Sequence, residues 1–192
     1  MPAQVHRLAG ASGESDHSRH VTGLALSMFD QISERFGLGG HDRLLLESAS
    51  LLHDIGWSRG QAGHHKESMR MILAEADLGL SSGDQLVVAT IARYHRRALP
   101  SLRHASYRRL TESDRQRVKI LGGLLRLADG LDRQHLRHVR QVKLTLTERR
   151  LVVRCRTVGD ATGEKAAAEH KSDLLAEAIA RGVELDWNST SG

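Results

Sequence analysis

Along the first two thirds of the chain, apolar residues return at steps of three and four, the period of an amphipathic helix. From Glu14 to Phe36 they are Val21, Leu24, Ala25, Met28, Phe29, Ile32 and Phe36, and Gly37, Gly39 and Gly40 end the run. A second helix is expected from Asp42 to Asp54 through Leu44, Leu45, Ala49, Leu51 and Leu52. It is apolar nearly all round at its far end, which must therefore be buried. Gly56 to Gly63 reads as a loop and His64 to Ala76 as a third helix. Ser82-Gly-Asp-Gln85 has the form of a capping box ahead of Leu86, Val87, Ala89, Ile91 and Ala92. This fourth helix reaches His95, and Pro100 stops any continuation. A long basic connection leads to Leu110, and a fifth helix over Ser113 to Arg137 carries Val118, Leu121, Leu124, Leu125, Ala128 and Leu131 on one face.

After about residue 140 the period falls to two. Val142, Leu144 and Leu146 alternate with polar residues, as do Leu151, Val153 and Cys155, with Glu148-Arg149-Arg150 between them. That is a β-hairpin pattern. Glu164 to Arg181 looks helical, and Val183 to Trp187 fits a last strand. The expected fold is mainly α: a bundle of five to six helices with a small α+β appendage. Residues 1–13, small and polar, are expected to be a flexible N-terminus; 14–140 form the helical domain and 141–192 the appendage.

At 192 residues the chain is large enough for a core that needs no disulfide or metal staple. Aromatics are 3% of the residues, too few for the stacking platforms of single-strand nucleic-acid binders, so nucleic acid is not an expected partner. The single cysteine, Cys155, excludes an internal disulfide and a Cys-type zinc site, fits a reducing cytoplasm, and by its alternation with Arg154 and Arg156 is a packing residue. No apolar run reaches the ~18 residues of a membrane span, and Met1 to Asp16 lacks a signal-peptide core, so a cytoplasmic location is expected. The formal net charge of +5 favours an anionic partner.

Twelve histidines make placement the informative feature. His53 and Asp54 stand together at the buried end of an apolar helix, where a carboxylate requires a cation or donors beside it. His17 lies on or beside the apolar face of the first helix, and Asp129 interrupts that of the fifth. His17, His53, Asp54 and Asp129 supply two imidazoles and two carboxylates, a set for Mn, Fe, Co, Ni or Zn, with Mg a further candidate. His65 and His95 are candidates for a second metal position, His64 competing with His65; two ions a few Å apart clamp a phosphate. His20 and Asp132 fall one turn away, as supporting or surface groups. His6, His41, His104, His135, His138 and His170 are expected at the surface.

Between Ile91 and Leu110 there are six Arg and no acid. Arg93, Arg96 and Arg97 flank His95, and Arg126 and Arg133 bracket Asp129; guanidinium forks of this kind bind phosphate oxygens in pairs, which makes an anion funnel.

The order His, His-Asp, Asp on successive helices resembles the HD-domain superfamily of metal-dependent phosphohydrolases. Longer blocks resemble more narrowly the C-terminal HD region of the exopolyphosphatase and guanosine pentaphosphate phosphatase (Ppx/GppA) family. These are His17-Ser-Arg-His20-Val21 with Leu24 to Gln31, Leu51-Leu-His-Asp-Ile-Gly56, Gly63-His-His-Lys-Glu-Ser68, Ala92-Arg-Tyr-His-Arg-Arg97 and Leu125 to Asp132. The resemblance implies a helical HD fold with metal ligands His17, His53, Asp54 and Asp129, joined by His65 and His95 where two metals bind. It also implies that the family's polyphosphatase chemistry belongs to an actin-like ATPase-fold region, which this sequence does not contain. The lysine many two-metal members carry near the Gly turn is replaced by Ile55-Gly56-Trp57, so its role is either lost or passes to Lys66.

The expected activity is metal-dependent hydrolysis of a phosphate ester or anhydride: a nucleotide, an alarmone, a cyclic nucleotide or a short polyphosphate. Asp54 would bridge two metals if both are present. Asp129 would anchor one and orient the attacking water, and Arg93, Arg96, Arg97 and Lys66 would bind substrate. The alternative is a non-catalytic metal- and nucleotide-binding regulatory module that partners a separate ATPase-fold phosphatase chain. A paired-iron oxygenase is a third reading, and an amphipathic helix or sheet edge is a candidate homodimer surface.

Overall fold

A computed structural model describes residues 1–13 and 15–189. Its elements, in order, are α1 (Ala3–Ala11), α2 (Asp16–Ile32), α3 (Gly40–Leu52), α4 (His64–Ala74), α5 (Ser82–Arg93), α6 (Ala105–Arg108), α7 (Glu112–Gly130), β1 (Val139–Leu146), β2 (Arg150–Thr157), α8 (Thr162–Lys171), α9 (Asp173–Ile179) and β3 (Gly182–Ser189). The protein is mainly helical with a small three-stranded C-terminal sheet, as the change of period indicates. No described helix is long and apolar enough to cross a membrane.

The main departure is at the N-terminus. Residues expected to fray instead form α1, which buries Val5 and Ala9 completely. The two side chains lie one turn apart and join the common core, a four-residue spacing that was the only signal. The helix expected from Glu14 begins, among the described residues, at Asp16; Glu14 lies outside them. Its cap is Ser15, whose hydroxyl accepts from the Ser18 amide. The cap of α5 is Ser81, one residue earlier than the sequence pattern suggests, its hydroxyl accepting from the Asp84 amide at 3.1 Å. The basic connection contains the short helix α6, which buries Tyr107.

The fifth helix ends at Gly130 instead of Arg137. Beyond it His135 and Arg137 adopt left-handed backbone angles (φ 59° and 56°), which no glycine signals. Residues 164–181 also break into two helices, α8 and α9, which meet at Ser172.

The hairpin register is the one that alternation requires. Val142 faces Cys155, Leu144 faces Val153 and Leu146 faces Leu151. β3 pairs parallel to β2, so β2 is central and α8 and α9 form the crossover. Cys155 is fully buried, and burial pushes its thiol up to about 12, the state of a packing residue. The C-terminal helices lie hard against α7. A Cβ on Gly123 would sit 2.7 Å from the Leu175 backbone, and one on Gly130 would sit 3.0 Å from Ala168. These small residues bring the end of α8 to the end of α7, where the charged residues gather.

Gly56 has the same function on the other side. A Cβ there would stand 2.3 Å from the His64 carbonyl oxygen, and the Gly56 amide donates to Ser68 Oγ at 2.9 Å. This contact fixes the start of α4 against the turn after α3. Gly56→Ala is expected to cost about 1–3 kcal/mol by overpacking, read by urea denaturation. An unchanged midpoint would show that α4 is free to move.

Candidate metal centre and anion cleft

Five helix ends converge on one point. His17 comes from the first turn of α2, and His53 and Asp54 directly follow α3. His64 opens α4 after Gly63, a left-handed residue (φ 76°); His95 follows α5, and Asp129 lies in the last turn of α7. Asp54 has φ −111° and ψ 7°, a sparsely populated region where active-site residues recur.

The ring nitrogens are set by hydrogen bonds on their outer sides. His53 Nδ1 lies 2.6 Å from the Ser50 carbonyl, His95 Nδ1 2.7 Å from that of Ala92, and His64 Nδ1 3.0 Å from that of Gln61. Because a carbonyl only accepts, each Nδ1 carries the proton and each Nε2 presents a lone pair inward. His17 Nδ1 faces the Asp132 carboxylate at 2.8 Å, and Asp132 is held in turn by the Arg137 amide. Outer partners of this kind orient metal-binding imidazoles.

Asp54 stands at the centre. Its Oδ2 lies 3.5 Å from His53 Nε2 and 3.9 Å from His17 Nε2; its Oδ1 lies 3.1 Å from His64 Nε2 and 3.4 Å from His95 Nε2. Asp129 Oδ1 is 3.3 Å from His17 Nε2, and its other oxygen pairs with Lys171. His17, His53 and Asp54 form one group whose donor atoms all lie within 4.8 Å of one another, and Asp54, His64 and His95 form another.

The donor set fits a divalent ion. His17 Nε2, His53 Nε2 and Asp54 Oδ1 are buried without a hydrogen-bond partner among the described residues. His64 and His95 approach Nε2 to Nε2 at 3.3 Å, two lone pairs face to face, an arrangement that a cation between them relieves. Imidazole with carboxylate suits Mn, Fe, Co, Ni or Zn better than Mg.

His65 does not reach this point. Burial and the Arg96 cation hold it low, at about 4, and it faces a neighbouring hollow with Lys66 and Arg93. The open side of the cluster is a cleft of about 540 Å³ whose walls include Trp57, Arg96, Arg97, Arg133, His170 and Lys171. Arg96 and Arg97 thus line the cleft as the sequence suggests; Arg93 and Lys66 do not. Arg126 touches its edge but is 2% exposed and gives both arms to Asp173, at 2.7 and 3.0 Å, so it is a strut between α7 and α9.

Lys171 was not foreseen, and neither was His135, which stacks on His17 at 3.7 Å despite its exposure. Asp132, foreseen only as a supporting or surface group, is fully buried behind His17.

Burial opposes charge on these groups, and their neighbours overturn it. For His17, burial lowers the pKa, but Asp129 and Asp132 outweigh it and raise the imidazole to about 9. For Asp54, burial is outweighed by His53, His64 and His95, which hold the carboxyl well below its usual range. For Asp129, Lys171 and His17 do the same. His95 is the exception: burial prevails over Asp54 and Asp129 and holds it down to about 3.

A stability signature follows for metal-free protein. The folded His17 value lies above the free value of 6.5, so its ion pairs stabilise fully below pH 6.5 and are lost as pH rises through 9. Chelator-treated wild type is expected to lose roughly 2–3 kcal/mol more than His17→Asn between pH 6.5 and 9.5 in urea unfolding. Equal losses would remove the pairing.

Buried imidazoles and carboxylates beside an arginine-lined cleft are the features of a protein that handles phosphate compounds. Comparison with protein families gives the same direction a name. Residues 12–173, most of the chain, match the model for Ppx/GppA phosphatase, domain III, and the protein belongs to that family.

Proposed function

We propose that this chain is an HD-type, metal-dependent phosphohydrolase acting on a phosphate ester or anhydride. The observation that carries the reading is the convergence of four imidazole Nε2 atoms on Asp54, with the outer nitrogens tied back. His17, His53, Asp54 and Asp129 would hold one ion, and Asp54, His64 and His95 a second. Bound there, a divalent ion supplies Lewis acidity toward a phosphoryl oxygen and makes water acidic enough to attack near neutral pH.

The remaining roles fall to the chain. Asp132 and the Ser50, Gln61 and Ala92 carbonyls keep the imidazoles in one tautomer and orientation. Arg96, Arg97, Arg133 and Lys171 neutralise the phosphate and orient it in the cleft. Beyond Asp54 and Trp57 lies a hollow of about 310 Å³ lined by Ser12, Ser15, Ser18, Leu51 and Ile55, with no Lys or Arg among its described lining residues. A cationic chamber and an uncharged one meeting at Asp54 favour an organic phosphate, nucleotide-like, over inorganic polyphosphate.

One observation favours the second reading, a regulatory module. The matched family model is a third domain, a description that points to companion domains, and here Asp129 already has a cation in Lys171. The test is phosphate release from a nucleotide and organophosphate panel, with and without Mn, Fe, Co, Ni or Zn. Metal-dependent turnover supports the enzyme; tight nucleotide binding with no turnover under any metal supports the module.

A further inference from the structure

Beside the cleft, and reaching the imidazole cluster only through Arg96, whose Nη1 lies 3.3 Å from His64 Nε2, lies a hollow of about 330 Å³ whose wall is basic on every charged residue. His65 and Lys66 come from the first turn of α4, Arg93 ends α5, Arg96 and Arg97 follow it, and His104 precedes α6. No carboxylate is among its described lining residues. Five arginines elsewhere are matched, Arg43 with Asp30, Arg117 with Asp42, Arg126 with Asp173, Arg150 with Glu184 and Arg154 with Asp186, and what sets the hollow apart is that its cations stand together without an acid. Lys66, Arg93, Arg96 and Arg97 have no ion pair among the described residues. The nearest acid in sequence, Glu67, is taken by Arg59 and Arg70, at 3.3 and 2.9 Å.

Four uncompensated cations around one hollow repel one another, and a fold that keeps them together needs an anion or loses stability. Two buried atoms, Arg93 Nε and His65 Nδ1, have no hydrogen-bond partner among the described residues, which is costly unless a ligand supplies one. The wall is also held in place. His104 Nδ1 is tied to the Tyr94 hydroxyl at 2.8 Å. Arg97 adopts a left-handed backbone (φ 65°), and Arg126 donates to its carbonyl at 3.1 Å. A non-glycine residue kept in that region by a buried guanidinium is strain retained beside a binding surface.

We propose that His65, Lys66, Arg93, Arg96, Arg97 and His104 form a second anion site, which takes a phosphate group and requires no metal. It communicates with the main cleft through Arg96 and Arg97, which line both. The phosphate is either a free ion or a remote phosphate of a molecule lying across those two arginines. The site stands apart from the metal reading, because it is tested on chelated protein.

The experiment is calorimetric titration of the full, chelator-treated chain with inorganic phosphate. Lys66→Gln/Arg93→Gln is expected to weaken binding at least tenfold. Arg103→Gln/Arg108→Gln, which removes two charges from the same basic stretch outside the hollow, is expected to stay within twofold. Lys66→Gln alone, at an exposed position, should cost at least threefold and keeps the test decisive if the double variant does not fold. Tripolyphosphate separates the sources. A remote phosphate predicts at least tenfold tighter binding than phosphate, a gain lost in Lys66→Gln/Arg93→Gln; a free ion predicts no such gain. Phosphate binding by Lys66→Gln/Arg93→Gln within twofold of wild type, or an equal loss in Arg103→Gln/Arg108→Gln, overturns the site.

Discussion

Asp54→Asn is expected to lower metal-dependent phosphate release by at least about 10³-fold while leaving the fold intact. Among the described residues, Asp54 is the one side chain that faces all four inner imidazole nitrogens, at 3.1 to 3.9 Å. Asparagine keeps its shape and removes its charge, so both halves of the cluster lose the anionic ligand they share. A loss of this size is what removing groups that act only on the reacting centre produces. The imidazoles outweigh the burial of Asp54 and hold its carboxyl low, so its charge stabilises the fold near neutral pH and the variant should be folded but less stable than chelated wild type. Phosphate release and thermal melting on the same preparations check both halves. Turnover within tenfold of wild type would place the chemistry elsewhere.

His64→Ala and His65→Ala should separate completely. His64 Nε2 lies 3.1 Å from Asp54 Oδ1 and 3.3 Å from His95 Nε2, whereas His65 faces the neighbouring hollow. Loss of His64 is expected to weaken uptake of a second metal equivalent by 100-fold or more, since one of three donors in that group disappears. Loss of His65 should leave metal affinity within about threefold. Metal titration by competition with a chelator reads both, and the reverse result would mean that α4 starts one residue out of place.

That pair also shows where the sequence stops being legible. His53 and Asp54 stand out because charge at the end of an apolar helix has few explanations, and Asp129 stands out for the same reason on α7. The choice between His64 and His65 cannot be made from periodicity, because neighbours on a helix differ by about 100° and the answer depends on where the helix begins. That start is set by Gly63 and by the backbone contact at Gly56, both tertiary facts. Lys171 was hidden for a related reason. A continuous helix over 164–181 gives no reason to place its ammonium at the cleft, but the break at Ser172 ends α8 at Lys171, beside Asp129. Asp132 and His135 emerge only because α7 stops at Gly130 and the chain folds back through left-handed residues. The mainly helical body and the hairpin were readable because periods of 3.6 and 2 differ sharply over these lengths. α1 was not, since only Val5 and Ala9 of its residues are buried.

The central claim is that the inward-facing imidazoles and carboxylates are metal ligands. Its most direct test is the metal content of protein purified without added metal or chelator, beside His53→Ala/Asp54→Ala. The wild type is predicted to carry one or two equivalents of a transition metal and the double variant less than about a tenth of that. A wild type that is empty, and stays empty after reconstitution with Mn, Fe, Co, Ni and Zn, would contradict the claim.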